Sequence, residues 1–224
     1  MPTSHNNCRW NDANTAEFSS PDEIHVWKIL LFDPEPGELE VLSQDELKRS
    51  HDFKNETARQ TYLCSRLVMR RLFASYLKQP ASELKFQTTQ QGKPFLVGNT
   101  ADLRFNLSHS GELILLAVSP IIELGIDLEQ HKEIKNWEKI AQKVFDTEMI
   151  QVLKQDEQPE RAFIRAWTEF EARQKSHGEG IFGEKTSAIH NTNSIIINIE
   201  GFEASLCYIP VTEPLEIRYF NYTE

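Results

Sequence analysis

The sequence predicts an α+β fold with two halves, residues 23–120 and 121–224, after a flexible polar tail at 1–22. Each half opens with an extended run, continues through helical periodicity and closes with short strand-like runs. No low-complexity linker separates the halves, so we expect them to pack tightly, each with helices and a small, mostly antiparallel sheet. At 224 residues the chain is long enough to bury a substantial core.

The first half begins with a strand and a long helical region. Partial alternation over residues 24–32 predicts the strand, which the following prolines end. Ser43 and Glu46, three residues apart, match a capping box and predict a helix start. Helical periodicity then continues to about residue 77, so one long helical region is expected here.

The remaining elements follow from turn residues and periodicity. A turn at 90–94 leads into a short strand at 95–97, and strands at 103–107 and 113–119 joined by a turn at 108–112 predict a hairpin. The second half then contains a strand at 121–128, helices over about 134–144, from Asp146 and over about 160–177, and strands at 194–199, 204–209 and 215–219.

Charge and cysteine content exclude several classes of function. The net charge of −10 argues against general nucleic-acid binding, which requires a basic face. The longest apolar runs are too short to span a bilayer, so no membrane partner is expected. The three cysteines are widely spaced and match neither a disulfide framework nor a zinc motif. A reducing cytoplasm is therefore the expected setting, and we also expect the protein to be a monomer.

Two carboxylates lie at strand spacing in the run 121–128 and just beyond it. Asp127 and Glu129 are two residues apart, so on a strand both point to the same face. Two like charges so close repel unless a cation lies between them, and hard carboxylate oxygens suit magnesium. The alternative is that one of the two begins the next loop and faces solvent.

A second candidate pair lies on the last predicted helix. Glu171 and Lys175 are four residues apart, which is also the favoured spacing for an ordinary surface ion pair. Phe163, Trp167 and Phe170 mark the buried side of this helix. Because Glu171 follows Trp167 by one turn, it lies at the margin of that side, which favours a site over a solvated pair.

Basic and hydroxyl residues elsewhere suit an anionic ligand. Ser108 and His109 are adjacent, so their side chains diverge on extended backbone and do not form a nucleophile–base pair. We expect His109 to donate to a phosphate oxygen and Ser108 to a ligand or to the turn backbone. Arg59, Arg66 and Arg70 lie within about 40° of arc on a helix, which is either a solvated stripe or part of an anion-binding wall.

Taken together, these segments resemble the 4'-phosphopantetheinyl transferases of the surfactin-synthetase-activating (Sfp-like) type. That family carries a G-K-P turn, an F-N-x-S-H-S-G segment, a G-I-D-x-E segment and a W-[ST]-x-K-E-[AS]-x-x-K helix. The chain has, in the same order, Gly92–Pro94, Phe105–Gly111, Gly125–Glu129 and Trp167–Lys175. The likeness covers roughly residues 40–185.

The resemblance implies a pseudo-twofold arrangement of two α+β halves, with coenzyme A and Mg²⁺, or Mn²⁺, in the cleft between them. It implies transfer of 4'-phosphopantetheine from coenzyme A to a serine of an acyl or peptidyl carrier protein, leaving adenosine 3',5'-bisphosphate. By position, the metal-binding carboxylates are Asp127, Glu129 and Glu171. The residues that hold coenzyme A are Arg49, Lys93, Pro94, Ser108, His109 and Lys175.

From these parts we hypothesise a mechanism in which Lys175 and His109 stabilise charge on the pyrophosphate. Glu171 accepts the proton of the incoming serine, directly or through a water. Two positions depart from the family pattern: Phe170 replaces a lysine, and Thr88 lies near where some members carry an arginine. The alternatives are a non-catalytic protein that binds coenzyme A or docks carriers, and a metal-dependent hydrolase of nucleotide pyrophosphates.

Overall fold

The computed structural model describes residues 8–89, 93–98, 103–178, 192–210 and 215–224. Within these ranges the helices are α1 Gln44–His51, α2 Glu56–Leu77, α3 Trp137–Val144, α4 Thr147–Gln155 and α5 Pro159–Ser176. The strands are β1 Trp10–Ala13, β2 Glu23–Leu30, β3 Phe86–Thr88, β4 Pro94–Leu96, β5 Arg104–Ser110, β6 Leu113–Ser119, β7 Leu124–Gln130, β8 Asn193–Ile196, β9 Phe202–Tyr208 and β10 Glu216–Tyr222. This confirms the predicted α+β class.

The larger sheet has the strand order β1-β10-β2-β6-β5. Strands β1, β10 and β2 pair in parallel, whereas β2, β6 and β5 pair antiparallel. One face of this sheet packs on α2 through a core that includes Trp27, Leu72, Phe73 and Leu116. The strand β10 comes from the segment expected to form the second half, and it lies in the middle of this first sheet.

Part of the expected N-terminal tail is a strand, so the prediction of a flexible tail is wrong for residues 10–13. Strand β1 pairs with β10, with Trp10 opposite Tyr219, and these two rings meet edge to face at 5.3 Å. The Lys28 ammonium lies 4.4 Å from the Trp10 ring centroid. Aromatic packing of this kind outweighs the polar character of the surrounding sequence, which is what suggested a tail.

The second sheet has the order β7-β9-β8, and all its pairings are antiparallel. Val26 and Leu115 of the first sheet share a buried core with Ile126 and Leu206 of the second. The opposite face of the second sheet is covered by α5, which a further cluster around Phe163 connects to α3 and α4. The two sheets therefore pack as one body, as the lack of a linker predicted.

The structure divides the long helical region expected after Ser43. The capping box is confirmed, because Ser43 accepts from the Glu46 backbone while the Glu46 carboxylate accepts from the Ser43 backbone. However, α1 ends at His51, and Asn55 caps a new helix by accepting from Ala58 N–H at 3.0 Å. Asn favours caps over helix interiors, which explains the break. Asp146 caps α4 as expected.

The predicted hairpin turn is shorter than expected. Strand β5 continues to Ser110, and the turn consists of Gly111 and Glu112, with Gly111 at φ +58°. Ser108 and His109 therefore lie on a strand and not in the turn. The turn predicted at 90–94 falls partly outside the described residues. In the described ranges no helix is both long and apolar enough to cross a membrane, and Cys8, Cys64 and Cys207 form no disulfide.

Candidate active site

Two strands from different sheets, β5 and β7, meet at the centre of the molecule and are joined by side chains. The backbone N–H of Ile126 donates to Asn106 Oδ1 at 2.8 Å, and the N–H of Gln130 donates to Ser110 Oγ at 3.0 Å. Among the described strands, no backbone ladder joins β5 to β7. These side chains satisfy backbone groups at the edge of β7 and hold its carboxylates beside β5.

Helix α5 approaches β7 at Gly125. A Cβ atom at this position would lie 2.1 Å from the carbonyl oxygen of Ala172 and 2.5 Å from the backbone nitrogen of Ser176. Only glycine fits such a contact. The close packing brings Glu171 and Lys175, on the neighbouring turns of α5, to the carboxylate of Asp127.

Asp127 is buried and only partly satisfied. Its Oδ1 accepts from Lys175 Nζ at 2.6 Å and from the Ser108 hydroxyl at 2.8 Å. Its Oδ2 is also buried and has no hydrogen-bond partner among the described residues. Burial raises the pKa of Asp127, against the opposing effect of Lys175. A buried carboxylate oxygen without a partner is costly, so this atom marks a position for a cation or a donor.

Glu171 adds a second carboxylate to the same place. Burial, and then the negative charge of Asp127, raise the pKa of Glu171 to about 7. The Lys175 Nζ lies 3.8 Å from Glu171 Oε2, so a single ammonium faces two carboxylates. When Asp127 and Glu171 are both ionised, their negative charges lie close together in a site that is largely shielded from water. A bound cation would offset this charge.

Glu129, the third predicted ligand, lies next to this pair and makes other contacts. Its Oε2 accepts from the Ser110 hydroxyl at 3.0 Å and from Lys132 Nζ at 3.2 Å. In the part of the chain that the structure describes, no three His, Cys, Asp or Glu side chains form a ready metal cluster. Mg²⁺ commonly takes only one or two protein carboxylates, so the pair Asp127 and Glu171 fits such an ion.

His109 points away from Ser108, as expected for neighbours on a strand. Ser108 is buried and His109 is exposed. Removal of part of the imidazole from water lowers the pKa of His109, and the ammonium of Lys175 lowers it further. The lowered pKa favours the neutral ring, in which one nitrogen is a donor and the other an acceptor. The divergence is incompatible with a Ser108–His109 nucleophile–base pair.

Lys93 connects the small β3–β4 sheet to the acidic residues. Its Nζ donates to the carbonyl oxygen of Lys175 at 3.0 Å and to that of Leu124 at 3.5 Å. Burial lowers the pKa of Lys93. Pro94 is the first residue of β4. Lys93 therefore anchors the β3–β4 sheet to the C-terminal end of α5, where the helix dipole stabilises its positive charge.

Arg49 lies in a separate groove, which shares no lining residue with the acidic centre. The groove, of about 860 Å³, is formed by α1, α2 and β3 and also contains Thr88. Arg66 extends into it at 5.5 Å from the ring centroids of both Tyr62 and Phe86. Its Nη1 is buried and has no hydrogen-bond partner among the described residues, which suits an anion.

The three arginines that share a helix face have three different environments. Arg59 forms an exposed pair with Glu56. Arg70 is buried and is held by Glu46 and by the carbonyl oxygens of residues 81 and 84. Of the three, only Arg66 has a buried nitrogen without a hydrogen-bond partner in the described part of the chain, and its Nε lies 3.7 Å from Glu46 Oε1. Neither a solvated stripe nor a continuous anion-binding wall therefore describes this face.

Phe170, which replaces the lysine of the family pattern, is half-buried. Its ring meets Phe145 at 5.9 Å and an interplanar angle of 78°, and it lies 6.1 Å from Trp167. The apolar side of α5 therefore includes this position, as its spacing from Trp167 predicted.

Sequence reasoning missed Asn106, Ser110 and the packing role of Gly125. Residues 106, 108 and 110 alternate on one strand face, which was a usable signal. The predicted turn at 108–112 hid it, because a turn breaks the period of two. Strands β5 and β7 lie next to each other although they belong to different sheets. Local sequence patterns do not predict a long-range contact of this kind.

Comparison with known proteins assigns the chain to a family. The family model for the 4'-phosphopantetheinyl transferase N-terminal region matches residues 36–121, and the model for the 4'-phosphopantetheinyl transferase superfamily matches residues 123–211. The chain is 36% identical over 167 residues to the 4'-phosphopantetheinyl transferase HetI of Nostoc sp., a span covering 71% of this chain and 70% of that protein.

Other relatives match shorter spans. The 4'-phosphopantetheinyl transferase AcpT of Salmonella typhi is 36% identical over 127 residues, which is 54% of this chain and 59% of AcpT. The L-aminoadipate-semialdehyde dehydrogenase-phosphopantetheinyl transferase of Rattus norvegicus is 31% identical over 103 residues, or 42% of this chain and 33% of the rat protein. Because both family models and HetI match its sequence, the chain belongs to the 4'-phosphopantetheinyl transferase superfamily of transferase enzymes.

Proposed function

We propose that the protein transfers 4'-phosphopantetheine from coenzyme A to a serine of an acyl or peptidyl carrier protein, and that it is of the surfactin-synthetase-activating type. Family membership supports the transferase chemistry. The observation that carries the choice of site is the buried Oδ2 of Asp127, which has no hydrogen-bond partner among the described residues. The other oxygen of this carboxylate binds the Lys175 ammonium, which also lies 3.8 Å from Glu171 Oε2. A pyrophosphate with its cation would complete the charge balance there.

In the proposed reaction the serine oxygen forms a bond to the phosphorus that carries pantetheine. The bond from that phosphorus to the bridging oxygen of the pyrophosphate breaks, and adenosine 3',5'-bisphosphate leaves with the bonding electrons. Glu171, whose pKa is raised to about 7 by burial and by Asp127 when no cation is bound, takes the serine proton directly or through a water. Lys175 and neutral His109 place a positive charge and a donor at the phosphate oxygens.

The carboxylates of Asp127 and Glu171, with Glu129 beside them, would hold a divalent cation, Mg²⁺ or Mn²⁺. When bound, this ion would supply positive charge to the pyrophosphate oxygens and so stabilise the leaving nucleotide. Ser108 and Lys175 bond to Oδ1 of Asp127 and keep its Oδ2 available.

The nucleotide end of coenzyme A is proposed to follow the β3–β4 sheet from the acidic centre to the groove of Arg49. Arg49 and the unsatisfied Nη1 of Arg66 suit the 3'-phosphate there. Lys93 fixes the sheet against α5 and so sets the distance between the groove and the acidic centre, with Pro94 next to it at the start of β4. His109 is exposed beside the acidic residues and is therefore accessible to the ligand.

The test is incubation of the protein with coenzyme A, Mg²⁺ and a panel of apo carrier proteins, followed by intact-mass measurement. The proposal expects at least one carrier to gain the mass of one phosphopantetheine. Binding of coenzyme A without any mass gain would instead support a non-catalytic protein. Release of the nucleotide without a carrier would support a pyrophosphate hydrolase.

A further inference from the structure

Two serines on β5 face two carboxylates on β7 with matching spacing. The Ser108 hydroxyl donates to Asp127 Oδ1 at 2.8 Å, and the Ser110 hydroxyl donates to Glu129 Oε2 at 3.0 Å. In each pair, the serine and the acidic residue lie 19 positions apart in the sequence. The repeat of the same contact two residues along both strands shows that the junction aligns hydroxyls with carboxylates.

Each of these hydrogen bonds occupies one oxygen of the carboxylate and leaves the other oxygen available to a ligand. Asp127 Oδ2 has no partner in the described part of the chain. Glu129 Oε1 likewise receives no hydrogen bond from a described residue, whereas Oε2 takes both Ser110 and Lys132. A carboxylate held through one oxygen presents the second in a fixed place, which is how outer residues orient metal ligands.

The orientation of the Ser110 hydroxyl is fixed by its second contact. Its oxygen accepts from the Gln130 backbone N–H at 3.0 Å, so its single hydrogen is directed to Glu129. Lys132 also reaches Oε2, but its side chain is 58% exposed, and water and salt screen such a pair. Ser110 is therefore the residue that fixes Glu129.

We propose that Ser110 is a positioning residue for the divalent-cation site. It holds the Glu129 carboxylate through Oε2 and so keeps Oε1 available as a further ligand for a cation bound by the pair Asp127 and Glu171. This inference rests on the proposed function, because it assumes that the acidic centre takes a cation together with coenzyme A.

The test compares Ser110→Ala with Ser110→Thr, which keeps the hydroxyl. Ser65→Ala is the matched control, since Ser65 is a buried serine that bonds within α2. Free Mn²⁺ is measured by electron paramagnetic resonance during titration of protein with coenzyme A and no carrier. Ser110→Ala is expected to weaken Mn²⁺ binding roughly 10-fold, and Ser110→Thr by no more than about twofold.

Several outcomes would overturn the inference. One is a Ser110→Ala protein that binds Mn²⁺ as the wild type does. Another is an equal loss in Ser110→Thr, which would indicate that packing, and not the hydroxyl, matters. Failure of the wild type to bind Mn²⁺ would show that the acidic centre holds no divalent cation for Ser110 to support. Because the titration contains no carrier, wild type that binds Mn²⁺ but modifies no carrier would contradict the proposed function alone.

Discussion

Glu171 is a carboxyl group whose protonation depends on two neighbours. Burial and the Asp127 carboxylate raise its pKa to about 7, and the Lys175 ammonium acts in the opposite direction. A residue with this pKa exchanges a proton near neutral pH, which is useful for a base and unfavourable for stability. Its two consequences, for catalysis and for folding, can be measured separately.

Replacement of Glu171 by glutamine should remove the base while keeping the shape of the side chain. We expect Glu171→Gln to bind coenzyme A largely as the wild type does, but to lower kcat for carrier modification by about 100-fold or more. Intact-mass time courses and calorimetric titration with coenzyme A measure the two quantities. The control is Glu160→Gln, in the first turn of the same helix. A rate within a few-fold of the wild type would show that Glu171 is not the base.

The same substitution should change how stability depends on pH. The pKa of Glu171 is about 7 in the folded protein against an ordinary 4.5, so the folded state binds the proton more tightly. The free energy of unfolding therefore falls as pH rises between these values. Without metal, we expect the free energy of unfolding of Glu171→Gln to exceed that of the wild type by about 1–3 kcal/mol at pH 8. This difference should shrink towards pH 5. Urea unfolding in a chelator checks this; a gap that is constant with pH would contradict it.

At the scale of elements, the contact between α5 and β7 decides whether the site forms. Gly125 allows the α5 backbone to touch the strand, and Asn106 and Ser110 join β7 to β5 on its other side. Residues from three elements, β5, β7 and α5, therefore meet at Asp127. A small displacement of α5 would separate Glu171 and Lys175 from it.

Gly125→Ala should test this contact. A methyl group 2.1 Å from the Ala172 carbonyl oxygen cannot be accommodated without moving α5, and overpacking of this kind typically costs about 1–3 kcal/mol or more. We expect a lower Tm and transfer activity reduced more than 10-fold even well below that Tm. Gly37→Ala, where a Cβ meets nothing within 4 Å, is the control. Wild-type activity in Gly125→Ala would refute a positioning role for this contact.

Local signals were predictable from the sequence, whereas long-range ones were not. The capping box of Ser43 and the cap at Asp146 depend on neighbouring residues, and both were predicted. The strand spacing of Asp127 and Glu129 was also visible. The pairing of Ser110 with Glu129 and the strand at residues 10–13 depend on segments distant in the chain, so local periodicity could not reveal them.

At the scale of the whole molecule, the chain ends complete the first sheet. Strand β10 lies between β1 and β2, so the C-terminal segment holds the N-terminal one in place. The two sheets share a core that includes Val26 and Ile126, which connects the first sheet to β7. With a net charge of −10, binding of an anionic ligand must rely on local groups such as Arg66 and Lys175.

Removal of residues 1–14 should therefore destabilise the protein. It deletes β1 and the contacts of Trp10 with Tyr219 and Lys28, for which we expect a loss of about 2 kcal/mol. Removal of residues 1–7 alone separates this effect from simple shortening. Urea unfolding measures the free energy of unfolding of both truncated proteins. If the protein that lacks residues 1–14 were as stable as the wild type, β1 would contribute nothing to stability.

The proposed activity of the acidic centre is the transfer of phosphopantetheine from coenzyme A to a serine of a carrier protein. The most direct measurement quantifies both products in one reaction, the holo carrier by intact mass and adenosine 3',5'-bisphosphate by chromatography. We predict equal amounts of the two products, dependence of both on a divalent cation, and loss of both in Glu171→Gln. Nucleotide formed without holo carrier, or neither product with any carrier of the panel, would contradict it.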